Sequence, residues 1–171
     1  MSQRIAKFHK VSLKQFIKDW QDTFEQNENV EILRVYEEIK LPKRATTGSA
    51  GYDFYTPIAI SLNPGETIKI PTGVRVEMAE NWVLKCYPRS GLGFKYRLQL
   101  NNTVGIIDSD YFYSDNEGHI FAKITNDSNE NKQVKIPVGD GFAQGIFVEY
   151  GITWDDDATA IRNGGFGSTT A

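Results

Sequence analysis

The sequence predicts an all-β protein: a jelly-roll-like β domain with an N-terminal helical addition and a Gly-rich C-terminal arm. Three observations predict it. From residue 30 onward the chain breaks into many short β-prone runs joined by turn residues, the pattern of a sandwich or jelly roll. Ahead of that point one segment carries apolar residues at helical spacing. Past residue 160 the composition turns to glycines around a single aromatic, which cannot pack a core and leaves the backbone free to take positive φ. These shifts divide the chain into an extension with one amphipathic helix (1–29), the β domain (30–160) and a flexible arm (161–171).

Taken in order, Ile5 and Phe8 stand in a basic leader that can add a short strand. Leu13, Phe16, Ile17, Trp20 and Phe24 then fall on one face of a helix, with Ser12 and Gln15 spaced as a capping box. Asn27, Glu28 and Asn29 end it. Residues 30–39 are apolar and β-prone and read as the first strand of the domain. Further strands are expected over 50–55, 58–62, 67–71, 74–77, 82–87, 98–102, 120–125, 133–136 and 142–150, with Asn63-Pro64-Gly65-Glu66 as a turn.

With 171 residues the chain can bury one core unaided. A single cysteine, Cys86, allows no internal disulfide and fits a reducing compartment, so the cytoplasm is the expected location. No apolar run reaches membrane length and no signal-peptide core is visible at the N-terminus. A net charge of −3 gives no global attraction for nucleic acid, so an anionic substrate needs a locally built site.

Five segments carry candidate chemistry. Ala50-Gly51-Tyr52-Asp53 sets an acid in a strand-like run, where a structural salt bridge fits as well as a catalytic role. Pro88-Arg89-Ser90-Gly91-Leu92-Gly93-Phe94-Lys95 reads as a Gly-rich loop whose backbone N–H groups, Arg fork and Ser hydroxyl suit an anion, with Lys85 and Arg97 adding positive field; a plain surface loop is the other reading. The run from Asn102 through Val104, Gly105, Ile106 and Ile107 to Asp108, Asp110 and Tyr111 ends a strand in two acids and a ring, although such acids also occur simply facing solvent. Asp108 is a carboxylate of the kind that can accept a proton from water. Gln144 in Gly141-Phe142-Ala143-Gln144 is a polar side chain in an apolar strand, aimed at a ligand or at a neighbouring strand. In the arm, Phe166 can cover a flat ring, and Ser168 and Thr169 can touch phosphate. His9 and His119 stand apart and lack cysteine partners, so neither reads as a metal ligand.

In that order the five segments resemble the five motifs of the trimeric dUTP pyrophosphatases (dUTPases), of the phage and Firmicutes type, from residue 30 to the end of the chain. The resemblance implies a homotrimer with three active sites, each built from more than one subunit, and an arm that reaches a neighbour's site. It implies hydrolysis of dUTP to dUMP and pyrophosphate, which limits uracil in DNA and supplies dUMP for dTMP synthesis. Mg²⁺ would be held by the triphosphate and its waters, with no protein ligands. Asp108 would be the general base. Arg89, Ser90 and Gly91 would meet the phosphates. Asn102 and the backbone of Gly105, Ile106 and Ile107 would read uracil, with a further contact from Phe121. Tyr111 would lie under the deoxyribose and exclude a 2′-hydroxyl. Gln144 would sit near the α-phosphate, Phe166 would stack on the base, Gly167, Ser168 and Thr169 would close over the phosphates, and Asp53 would support the site at a subunit contact.

Three features depart from the family pattern. Residues 112–117 lengthen the loop after Tyr111 before Gly118. Gly141 stands where many members have arginine. Arg162 lies one residue nearer the glycine pair than usual, which leaves its phosphate role open. Two other functions fit parts of the pattern: a dCTP deaminase of the same fold, which would need an added acid to activate water against C4, and a nucleotide-gated regulatory binding protein, for which the long loop would be the contact. An inert structural module would neither bind nor turn over nucleotide.

Overall fold

The computed structural model describes residues 3–164. Twelve strands and three helices are present among them. Strand β1 (Ala6–Lys10) leads into helix α1 (Leu13–Phe24) and helix α2 (Asn29–Glu38). Short strands β2 (Lys43–Arg44), β3 (Tyr52–Tyr55), β4 (Ile60–Leu62), β5 (Thr67–Pro71), β6 (Val74–Met78) and β7 (Trp82–Pro88) follow. Helix α3 (Ser90–Tyr96) precedes β8 (Leu98–Leu100) and β9 (Gly105–Ile107). A short 3-10 helix (Ser109–Tyr113) and strands β10 (Phe121–Asn126), β11 (Val134–Ile136) and β12 (Gly141–Glu149) complete the order.

Every strand pair is antiparallel. The largest sheet runs β2-β3-β12-β7-β9, a second runs β5-β10-β8, and β1 with β6 and β11 with β4 form two-stranded pairs. The short β-branched runs thus do what their spacing predicts, and Phe54, Ile70, Leu84, Ile124, Val134 and Phe142 fill the interior. The fold is mostly β-sheet.

Two expected elements differ. Residues 30–39, read as a strand, form α2 instead. Ile32, Val35, Tyr36 and Ile39 recur at three and four residues, and that period overrides the β-branched content: Ile32 is fully buried and the others pack on the same core. Lys10 Nζ then donates to the carbonyls of Tyr36 (2.8 Å) and Glu37 (3.1 Å), closing the helix C-terminus. The Gly-rich stretch after β7, read as a loop, is helix α3, whose end is set by Arg97 in the left-handed region (φ 49°). Its positive neighbour is engaged elsewhere, since Arg97 pairs with Asp127 at 3.0 Å.

Helix α1 forms where expected and buries Phe16 and Trp20 in the common core. Ser12 caps it by accepting from Gln15 N (3.1 Å), but the reciprocal half of the capping box is supplied from far away. Glu117 accepts from Ser12 N (2.7 Å) and from its hydroxyl (2.6 Å), while the Gln15 amide turns to Asp19 (2.8 Å). Asp19 also lies against the core and accepts from Nδ1 of the fully buried His119 at 2.6 Å. His119 Nε2 in turn accepts from Gly73 N (2.8 Å), so the ring is the neutral Nδ1–H tautomer facing a carboxylate. Burial pushes the Asp19 carboxyl up, but the hydrogen bonds from His119 and Gln15 outweigh it and hold the group below the usual range. A depressed folded pKa means stability that is present above the unfolded value and lost as pH falls through the folded one. The melting temperature is therefore expected to drop below about pH 4, and Asp19→Asn should make that acid limb shallower. Thermal melts of the two proteins from pH 7 down to pH 3 check this; identical acid limbs would count against the pair.

Candidate active site

The site begins at the turn between β8 and β9. Thr103 takes φ +66°, and two short backbone bonds, Thr103 N to Leu100 O (2.8 Å) and Val104 N to Asn102 O (2.7 Å), tighten the turn and project Asn102 outward. Strand β9 then pairs with β7, setting Gly105 opposite Cys86. A Cβ on Gly105 would come within 3.1 Å of Cys86 Cβ, so glycine permits this close approach beside the Asn102 amide. Burial pushes the Cys86 thiol up to about 12, which makes it a small inert packing group.

Asn102, Gly105 and Ile107 line a cavity of about 530 Å³ with Phe121, Leu100, Phe142 and Asn116, a volume within the range of small-molecule sites. Lys69 and Lys123 also line it, and Lys69 Nζ stands 4.7 Å from the Phe121 ring centroid, a basic flank that the sequence did not signal. Strand alternation turns Ile106 the other way, leaving it 48% exposed.

Asp108 follows β9 directly and occupies the residue before the 3-10 helix. That helix begins the long loop and turns Tyr111 inward, where it is buried. The Tyr111 hydroxyl donates to His119 O (2.6 Å) and accepts from Asn116 Nδ2 (2.8 Å). Burial pushes its pKa up to about 12, so it remains a donor. Tyr111 is absent from the cavity lining; Asn116, Ile120 and Phe121 form that wall. Gly118 closes the long loop at φ +69°, and a Cβ there would lie 2.6 Å from Tyr111 O.

The Asp108 and Asp110 carboxylates are both gripped by Arg162. Its Nη2 lies 2.5 Å from Asp108 Oδ2 and its Nε 2.8 Å from Asp110 Oδ1, while the guanidinium is largely buried. The sequence left the role of Arg162 open, and the structure places it on the acids of its own chain. Phe166, Gly167, Ser168 and Thr169 lie outside the described residues.

The basic segment forms a second concavity. Arg89, Ser90 and Gly91 line a hollow of about 310 Å³ with Lys135, Asp140 and Gly141. Ser90 and Gly91 open α3, where backbone N–H groups have no partner within the helix. Arg89 is anchored by Asp53 (Nε to Oδ1, 3.2 Å) and donates to Gly141 O (3.2 Å). Asp53 thus makes a salt bridge, and a Cβ at Gly141 would come within 2.8 Å of the Arg89 guanidinium, which fills that space. Gln144 donates to Pro88 O (3.2 Å), next to Arg89, and a Cβ on Gly51 would sit 2.6 Å from Gln144 Oε1, so the first and fourth segments fit together. The two hollows share no lining residue.

Among the described residues no group of three or more His, Cys, Asp or Glu side chains could cage a metal ion. The Asp108 and Asp110 carboxylates, both paired with Arg162, and the Gln144 amide are oxygen donors of the kind that meet the waters of a hard cation carried by phosphate, which suits Mg²⁺.

An apolar pocket lined by a strand whose end carries an acid pair, together with a separate basic hollow, is an arrangement suited to a small ligand with a flat ring and an anionic tail. A model of the dUTPase family matches residues 37–170, and the chain belongs to that family. It is 42% identical over 136 residues to the deoxyuridine 5′-triphosphate nucleotidohydrolase of Lactococcus lactis subsp. lactis (strain IL1403), spanning 78% of this chain and 89% of the relative. The enzyme of the same name from Haemophilus ducreyi (strain 35000HP / ATCC 700724) is 42% identical over 142 residues, with the same coverage. Among solved structures, a dUTPase from Streptococcus mutans superposes with a TM-score of 0.62 at 30% identity, covering 85% of this chain and 97% of that one. A Staphylococcus bacteriophage 80alpha dUTPase mutant with dUpNHpp shares the fold (TM-score 0.57, 23% identity, 71% of this chain and 90% of that one).

Proposed function

We propose that this chain hydrolyses dUTP to dUMP and pyrophosphate, with Asp108 as general base. The observation that carries the reading is that one short strand, β9, both lines the apolar pocket and delivers Asp108 at its end. Uracil enters the pocket against Phe121, with the Asn102 amide and the backbone of Gly105 and Ile107 at its polar edge. Asp108 takes a proton from water; the water oxygen bonds to the α-phosphorus, the bond to the bridging oxygen breaks, and pyrophosphate leaves with that oxygen. Arg89, Ser90 and Gly91 orient the triphosphate, and Gln144 faces its α end. Mg²⁺, when carried in on the substrate, offsets charge on the leaving group.

The same reading makes the protein a homotrimer with shared sites. Support comes from the separation of the two hollows: a triphosphate needs both, and a second subunit can bring its basic hollow to the first subunit's pocket. Residues 165–171 would close the site. The cytoplasm is the proposed location, on the single cysteine; no helix among the described residues is long and apolar enough to cross a membrane.

Incubation with Mg²⁺ and either dUTP or dCTP tests the activity. Pyrophosphate from dUTP and no ammonia from dCTP is the expected result. Ammonia from dCTP would make the chain a deaminase, and tight dUTP binding without turnover would make it a regulatory binder.

A further inference from the structure

The region ahead of residue 37 lies outside the family match, yet its helix reaches the wall of the base pocket. Asp19 stands on the core face of α1 beside Phe16 and Trp20 and holds His119 at 2.6 Å. His119 belongs to the stretch 116–121, three of whose residues (Asn116, Ile120, Phe121) line the cavity. Its carbonyl receives the Tyr111 hydroxyl, and its ring lies 4.6 Å from that of Phe121. The loop between is held from the same side: Glu117 takes both donors of Ser12, and the His9 ring meets Phe112 at 5.7 Å. From the core, Arg75 sits over the Phe112 ring at 3.6 Å and donates to Phe112 O.

We infer that Asp19, acting through His119, is a positioning residue that sets the base wall of the nucleotide pocket. Asp19 touches no substrate. It fixes the orientation and tautomer of a fully buried imidazole, and that imidazole packs behind the Phe121 ring; the Tyr111 hydroxyl meets the backbone carbonyl of the same residue rather than its ring. The principle matches the outer partners of metal-bound histidines, where a carboxylate sets the ring and the ring sets the site. Here the final element is a wall rather than a metal. A longer loop after Tyr111 needs such an outside brace, because residues 112–118 make no sheet ladder of their own. The N-terminal helix supplies it.

This rests on the assignment of the Phe121 pocket to the base of dUTP, and wild-type turnover of dUTP is therefore measured first; its failure sinks that assignment before any variant is read. The variants are Asp19→Ala, Asp19→Ser, which is too short to reach the ring, and Asp19→Asn, which keeps an acceptor for Nδ1–H and for Gln15. Val134→Ala, a core change on the remote β11–β4 pair, is the control for loss of stability alone. The expected result is a KM for dUTP raised about tenfold in the Ala and Ser variants, with kcat within about threefold. Asp19→Asn should restore KM. An unchanged KM in soluble Ala or Ser protein overturns the inference. So does an equal KM shift in Val134→Ala, or an Asn variant as impaired as Ala.

Discussion

Replacing Asp108 with asparagine is expected to lower kcat for dUTP by about 10²- to 10⁴-fold while leaving nucleotide binding close to wild type. The change is nearly isosteric and keeps an acceptor oxygen, so the water can still be held; the new amide cannot take its proton. Binding energy comes from other places, the pocket lined by Asn102, Gly105, Ile107 and Phe121 and the hollow lined by Arg89, Ser90 and Gly91, and these are untouched. The substitution also removes one of the two carboxylates gripped by Arg162. Asp110→Asn removes only the other, and so isolates the effect of loosening Arg162 from the effect of losing the base. Steady-state turnover, together with the Kd of a non-hydrolysable dUTP analogue, reads both. Near-normal kcat in Asp108→Asn would sink the assignment, as would an Asp110→Asn variant equally inactive.

The acid at the end of an apolar run was legible because a strand alone does not require Asp-Ser-Asp-Tyr after it. Asn102, Gly105, Ile107 and Phe121 were legible only through the family resemblance, and they do line one cavity. What escaped the sequence were features set by partners distant along the chain. Residues 30–39 carry β-branched side chains, and only the burial of Ile32 and Ile39 against the core reveals which of two periods is used. The glycines at 91 and 93 disguised a helical turn as a loop. Asp19 left one signal unread: it occupies a core-facing position between Phe16 and Trp20, where an acid requires a buried partner. That partner, 100 residues away, was visible only in the fold. Arg162 was similar, its nearness to the glycine pair saying nothing of the acids it would meet.

Arg162 also sharpens the question of whose arm serves which site. Its grip on Asp108 and Asp110 lies within one chain, whereas the shared-site reading sends the arm, residues 161–171, to a neighbour's nucleotide. Mixing two inactive chains separates the cases. One carries Asp108→Asn and an intact arm; the other keeps Asp108 and ends at Asn163. If each site draws its arm from another subunit, random trimers at equal ratio restore Asp108 and an arm together at about one site in four. Activity should therefore recover to roughly a quarter of the wild-type level on mixing under exchange conditions, and remain near the background of either parent without exchange. If the arm serves its own chain, no trimer contains a complete site, because the only intact arms belong to chains lacking the base. Absence of recovery, with mixed trimers demonstrated by mass, would place the arm in cis and make the Arg162 contact its lasting anchor. Recovery would instead require that Arg162 be held by its own chain while the seven residues beyond Gly164 extend to the next subunit, or that the whole arm leave Asp108 when the trimer forms. Asp110→Asn in the arm-bearing chain distinguishes these two: it weakens recovery only if the grip on Arg162 persists in the assembled enzyme.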